Sequence, residues 1–207
     1  GDRFFAIDDR GEFISGDFLT AIMGQYMLEK TPGAKILYDV RASWAVPDLI
    51  KAKGGIPLME RVGHAFIKRR MANEDAVFAG EVTGHYYFKD FFYADSGIIP
   101  SLLLMEMLAR RDVKMSDLLK ELEARYFISG EINSRVDDVP GRLEALAARY
   151  SDGKVERLDG VSVSYDTWHF NVRASNTEPL IRLNLESIAS REEMEAKRDE
   201  VLAIIRG

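Results

Sequence analysis

Lys35-Ile36-Leu37-Tyr38-Asp39-Val40, then Val46 to Ala52, then Gly54-Gly55-Ile56-Pro57-Leu58-Met59 is the stretch whose reading decides the fold. The first run is apolar and too short for an ordinary helix, which makes it a buried strand. The middle segment has helical spacing, and the paired glycines stop it just before a second apolar run. Strand, helix and strand in such close succession form a βαβ unit, and its two strands are expected to lie parallel.

The same alternation continues outward. A helix is expected from about Ala65, a strand at Ala76-Val77-Phe78-Ala79 and a helix from Ile98 to Arg110. Upstream, Phe4 to Asp8 and Glu12 to Ile14 are short extended pieces around the turn Asp9-Arg10-Gly11. Ser15-Gly16-Asp17 precedes a periodic run, Phe18-Leu19-Ile22-Met23-Tyr26-Met27, suited to a helix with Ser15 or Asp17 near its cap; Pro32-Gly33 ends it. Near Glu123 to Tyr126 the pattern changes. Extended Tyr126 to Asn133, helical Gly141 to Tyr150, extended Val155 to Leu158, Val161 to Tyr165, Trp168 to Val172 and Leu180 to Glu186, and an amphipathic helix Arg191 to Ile205 follow. Asp152-Gly153 and Asp159-Gly160 are hairpin-turn candidates. The expected fold is a mixed-sheet α/β layer domain over 15–123, then a smaller α+β domain with an antiparallel sheet over 124–207.

Composition narrows the function classes. The 207 residues carry a net charge of −6, which argues against a nucleic-acid partner. There is no cysteine, hence no disulfide framework and no thiolate metal site. His64, His85 and His169 lack metal-ligand spacing. Apolar stretches such as Ile98 to Met105 are too short and interrupted to span a bilayer, and no basic-then-apolar leader opens the chain. A soluble cytoplasmic protein with no membrane partner is the expectation.

Two polar loops carry the chemistry. Arg173-Ala174-Ser175-Asn176-Thr177-Glu178-Pro179, between strand-like ends, groups a guanidinium, two hydroxyls, an amide and backbone N–H donors. That inventory suits a dianionic phosphate, although turn chemistry alone would also explain Ser, Asn and Thr. Gly80-Glu81-Val82-Thr83-Gly84-His85 follows an apolar strand and offers a carboxylate, a hydroxyl and an imidazole where α/β proteins bind ligands. Its carboxylate and donors suit vicinal sugar hydroxyls, and Gly80 and Gly84 would allow a tight turn and close approach of a ligand. Arg41 follows another strand end, where it would reach the same crevice, and Gly63-His64 stands at a helix start.

These motifs resemble those of the α-D-phosphohexomutase superfamily. Arg173 to Pro179 resembles its phosphate-binding loop, Gly80 to His85 with Tyr86-Tyr87-Phe88 its sugar-recognition loop, and Gly1-Asp2-Arg3 the end of its metal-binding loop. The resemblance implies a C-terminal fragment: residues 1–14 from a metal-binding domain, then the family's third and last domains, with the remaining N-terminal domains as missing partners. It implies Asp2 as a Mg²⁺ ligand, Arg3 beside the catalytic phosphate, and Arg41, Gly63 and His64 as substrate contacts. Glu81 and Thr83 would bind sugar hydroxyls, while Arg173, Ser175, Asn176 and Thr177 would grip phosphate. His85 is the candidate for substrate contact and proton transfer. The implied reaction interconverts hexose 1- and 6-phosphates, mannose or glucose, through an upstream phosphoserine and a hexose 1,6-bisphosphate intermediate or activator. The isolated chain is then expected to be inactive. Val82 and Thr83 depart from residues common in the mannose/glucose branch while keeping its polarity pattern; a phosphoglucosamine mutase is the alternative, and for the chain alone a sugar-phosphate-binding module.

Overall fold

A computed structural model describes residues 1–175 and 178–207. The chain divides into two units, Gly1–Glu123 and Ala124–Gly207. The first opens with an antiparallel hairpin of β1 (Ala6–Ile7) and β2 (Phe13–Ile14). Helix α1 (Gly16–Lys30) follows, with Ser15 as its N-cap accepting from the Phe18 N–H. Asp17 is not the cap; it accepts the Ser43 N–H at 2.7 Å instead. The alternation then runs β3 (Lys35–Asp39), α2 (Ala45–Ala52), β4 (Ile56–Glu60), α3 (His64–Glu74) and β5 (Phe78–Gly80). β3 pairs parallel with both β4 and β5, as the apolar runs and glycine stops require.

Beyond β5 the sheet turns antiparallel. Tyr86-Tyr87-Phe88, expected to continue a loop, is strand β6 (Tyr86–Phe88), and β7 (Ala94–Asp95) pairs with it, giving the order β4-β3-β5-β6-β7. Helices α4 (Ile98–Arg111) and α5 (Met115–Arg125) follow. The second of these was not anticipated, although Met115, Leu119 and Leu122 bury one face of it.

The second unit contains β8 (Phe127–Ile128), β9 (Ile132–Arg135), α6 (Val139–Arg149), β10 (Lys154–Glu156), β11 (Val161–Ser164), β12 (Trp168–Ala174), β13 (Leu180–Ser187) and α7 (Arg191–Arg206). Its sheet is antiparallel, ordered β10-β11-β12-β13-β8, with β9 also on β13. The expected single run from Tyr126 to Asn133 is two strands because Gly130 turns the backbone at φ +68°. Asp159-Gly160 lies in the β10–β11 hairpin loop, whereas Asp152-Gly153 joins a helix to a strand. Alternation along β12 sends Trp168, Phe170 and Val172 into a core with Leu146, Leu183 and Val201. The opposite face is a polar ladder in which His169 opposes Glu186, Asn171 opposes Asn184 and Arg173 opposes Arg182.

Candidate functional site

The three parallel strands end along one edge of their sheet, with Asp39 opposite Glu60 and Tyr38 opposite Gly80. The chain runs outward from β3 to β4 and then crosses back to β5 on the other flank of β3. Such a reversal opens a crevice at the strand ends, and ligands of α/β sheets bind there. Arg41, Gly63-His64 and Glu81 to His85 leave the sheet along this edge.

Asp39 organises the crevice floor. Its carboxylate accepts from Arg41 Nε and Nη2 at 2.9 Å each, from the Arg41 backbone N–H and from the Val82 N–H at 2.9 Å. The last bond ties the loop after β5 to the end of β3. Burial opposes the Asp39 charge, but the Arg41 guanidinium and these donors outweigh it and hold the carboxyl below its ordinary value. Arg41, expected as a substrate contact in the crevice, therefore has no exposed side-chain surface, and its Nη2 also lies 3.7 Å from a Glu81 carboxylate oxygen.

Glu81 is buried and accepts the Tyr87 hydroxyl at 2.5 Å. Burial pushes its carboxyl above the ordinary value; the Tyr87 bond and Arg41 offset this only in part, because the nearby Asp39 charge also opposes ionisation. Thr83 is half-buried two residues on. Gly84 adopts φ +84°, and a Cβ there would press on the Phe4 carbonyl and the Phe5 ring. Gly80 has a different reason from ligand approach: a Cβ at that position would overlap the Thr20 side chain of α1.

The N-terminal segment docks on this loop through an isolated bridge between Arg3 and His85 and a 2.9 Å bond from the Phe4 N–H to the Gly84 carbonyl. His85 Nδ1 lies 2.8 Å from Asp95 Oδ2, at the end of β7. A proton on Nδ1 donated to Asp95 leaves Nε2 as the acceptor that can take a proton from a ligand. Asp95 escaped the sequence reading because it reaches His85 only through the β6–β7 pairing. Asp2, His85 and Asp95 bring ligand atoms within 4.8 Å of one another. Two carboxylates suit a hard cation such as Mg²⁺, and a backbone hydrogen bond holds the exposed Asp2 carboxyl below its ordinary value. The imidazole does not suit Mg²⁺, so the fit rests on the carboxylates.

Gly63 caps α3 at φ +129°, and His64 is exposed at the helix start. Among the described residues no hydrogen bond joins His64 to Glu81 or His85. In the second unit, Arg173 stands near the end of β12 with its side chain 7% exposed, and Ser175 donates its N–H to the Leu180 carbonyl at 2.8 Å. Asn176 and Thr177 lie outside the described residues. Two groups that the sequence reading passed over stand beside Arg173: Arg182, directly opposite on β13, and Glu131.

Comparison with known proteins bears on these features. Residues 15–126 match the description "Phosphoglucomutase/phosphomannomutase, alpha/beta/alpha domain III", and residues 131–204 match "Phosphoglucomutase/phosphomannomutase, C-terminal domain". A phosphomannomutase of Escherichia coli is 41% identical over 207 residues, covering 99% of this chain and 45% of that protein. One from Methanocaldococcus jannaschii is 41% identical over 205 residues, with 99% and 45% covered. The chain thus spans less than half the length of these relatives. A phosphoglucomutase/phosphomannomutase family protein from Burkholderia thailandensis superposes with a TM-score of 0.81 at 29% identity, covering 99% of this chain and 44% of the other.

Proposed function

The chain belongs to the phosphoglucomutase/phosphomannomutase family, and on that premise we propose that the protein carrying it interconverts hexose 1- and 6-phosphates, with mannose and glucose phosphates as substrates. The observation that carries the reading is the loop after β5. It sets a buried carboxylate, Glu81, and an Asp95-oriented imidazole, His85, beside the N-terminal segment, which bridges His85 at Arg3.

Glu81 and Thr83 bind sugar hydroxyls, and Gly63-His64 contacts the sugar from the neighbouring strand end. Arg41 acts from beneath, holding Asp39 and Glu81 in register. His85 accepts a proton at Nε2 from the attacking hydroxyl, while Asp95 fixes the ring through Nδ1. Arg173 and Ser175, with Asn176 and Thr177, hold the phosphate that is not transferred. Arg3 stabilises charge on the phosphoryl group in flight. Mg²⁺ bound through Asp2 would neutralise oxygens of that group. In the family scheme a phosphoserine supplied by the rest of the protein donates the phosphoryl group, and a hexose 1,6-bisphosphate is the intermediate. By itself the 207-residue chain is expected to bind hexose phosphate without turning it over.

The test is mutase activity of the intact protein on mannose 1-phosphate, glucose 1-phosphate and glucosamine 1-phosphate, with Mg²⁺ and a hexose bisphosphate. Turnover of the first two is expected. His85→Ala should lower kcat by about 10²–10³-fold. Asp95→Asn should lower it less, because the ring keeps Nε2 but loses the carboxylate that fixes its orientation. Unchanged kcat and pH profile in both variants would remove the proton-transfer role. Preference for the glucosamine substrate would assign the protein to that branch.

A further inference from the structure

The β12–β13 register sets two arginines directly against each other, Arg173 and Arg182. Like charges in that relation destabilise a sheet unless something lies between them. Glu131 supplies the opposing charge. One of its carboxylate oxygens accepts from Arg182 Nη1 at 3.1 Å, and the other lies 3.8 Å from Arg173 Nη2. Its backbone position is fixed by the next residues, since β9 pairs with β13 from Ile132 opposite Leu183 to Arg135 opposite Leu180. The Arg182 Nε–H is buried and has no hydrogen-bond acceptor among the described residues. Among the described residues, two cations and one anion thus meet at the end of the strand that leads into the loop at Ser175.

We propose that Glu131 is a resident counter-carboxylate of the anion site: it neutralises the arginine pair when no phosphate is present, opposes phosphate when it arrives, and thereby speeds phosphate release. The proposal rests on the reading of Arg173 as a phosphate ligand. A dianion drawn to Arg173 meets a fixed carboxylate within one side chain's reach, in surroundings too enclosed for water to screen it fully. A site built for affinity alone would omit that charge. One whose ligand must leave and return in the opposite orientation gains from it, because overly firm binding would trap the bisphosphate.

Calorimetric titration of the 207-residue chain with inorganic phosphate tests this. The wild-type chain should bind, and Arg173→Gln should abolish binding. Glu131→Gln preserves an acceptor for Arg182 Nη1 while deleting the charge, and should bind phosphate about tenfold more tightly. Arg182→Gln should weaken binding by a similar factor, and the double variant should return close to wild type, since the two charge changes cancel. Circular dichroism checks that each variant folds; the double variant, which has neither the opposed arginines nor an unpaired carboxylate, carries the test if Glu131→Gln alone does not fold. Equal or weaker binding by Glu131→Gln with Arg173→Gln inactive, or a double variant that stays as weak as Arg182→Gln, would make Glu131 a structural brace and overturn the proposal. Wild-type phosphate binding that survives Arg173→Gln would overturn the phosphate-loop reading itself, and the proposal with it.

Discussion

Glu81 shares the Arg41 guanidinium with Asp39, and the sharing is unequal. Arg41 makes hydrogen bonds to Asp39 but stands 3.7 Å from Glu81, so one carboxyl is held below its ordinary value while the other rises above. The two have opposite linkage to folding. The stability that Asp39 contributes is present above its unfolded value and is lost as pH falls through its folded one. A raised folded value in Glu81 means that the folded chain holds this proton longer than the unfolded chain. Stability therefore declines as pH rises from about 4.5 through the folded value. Glu81→Gln removes that decline: in urea unfolding at pH 4 and pH 7.5, the variant should gain relative to wild type at the higher pH even though it loses sugar binding. A variant whose relative stability does not change with pH would contradict this account. The placement of Arg41 and Glu81 just past the ends of β3 and β5 was legible in sequence. The burial of Arg41 was not, since it depends on Asp39 folding back onto its own neighbour and onto Val82 across the sheet.

At the level of elements, β5 shows how packing and site geometry are coupled. Its last residue, Gly80, is where α1 crosses the sheet, with Thr20 filling the space that a side chain would need. Gly80→Ala should destabilise the first unit by about 1–3 kcal/mol through overpacking, read as a lower Tm, and should weaken sugar-phosphate binding by displacing Glu81. A stable variant with unaltered binding would mean that α1 yields without moving the loop. The parallel strands were readable because they appear as short continuous apolar runs beside glycines, although only β3 and β5 lie inside the sheet and the edge strand β4 is partly exposed. β6 and β7 were not: Tyr86, Tyr87 and Phe88 are all buried and do not alternate, and β7 is only two residues long. The pairing that brings Asp95 to His85 is therefore a tertiary fact with little local trace. On β12 the alternation was legible, but the partners that make Arg173 one end of a polar ladder come from β13 and from the residue before β9.

Taken whole, the chain contains two separately cored units. The second has Phe170, Val172, Leu183 and Leu185 on one sheet face, covered by Leu146, Val201 and Ile205 from its two long helices. Residues 124–207 alone should therefore fold cooperatively, giving a single sigmoidal urea transition by circular dichroism; a gradual loss of signal would mean that this core needs the first unit. The hairpin at the start of the chain behaves differently. Ile7 and Phe13 lie opposite each other, the Phe5 and Phe13 rings are 5.8 Å apart, and all three side chains face water, Ile7 at 69% and Phe13 at 65% exposure. A bare greasy ribbon of this kind governs colloidal behaviour more than folding. In dilute solution the 207-residue chain should scatter light as a monomer; on concentration its hydrodynamic radius should climb, and Phe13→Ser should flatten that climb without changing the melting curve.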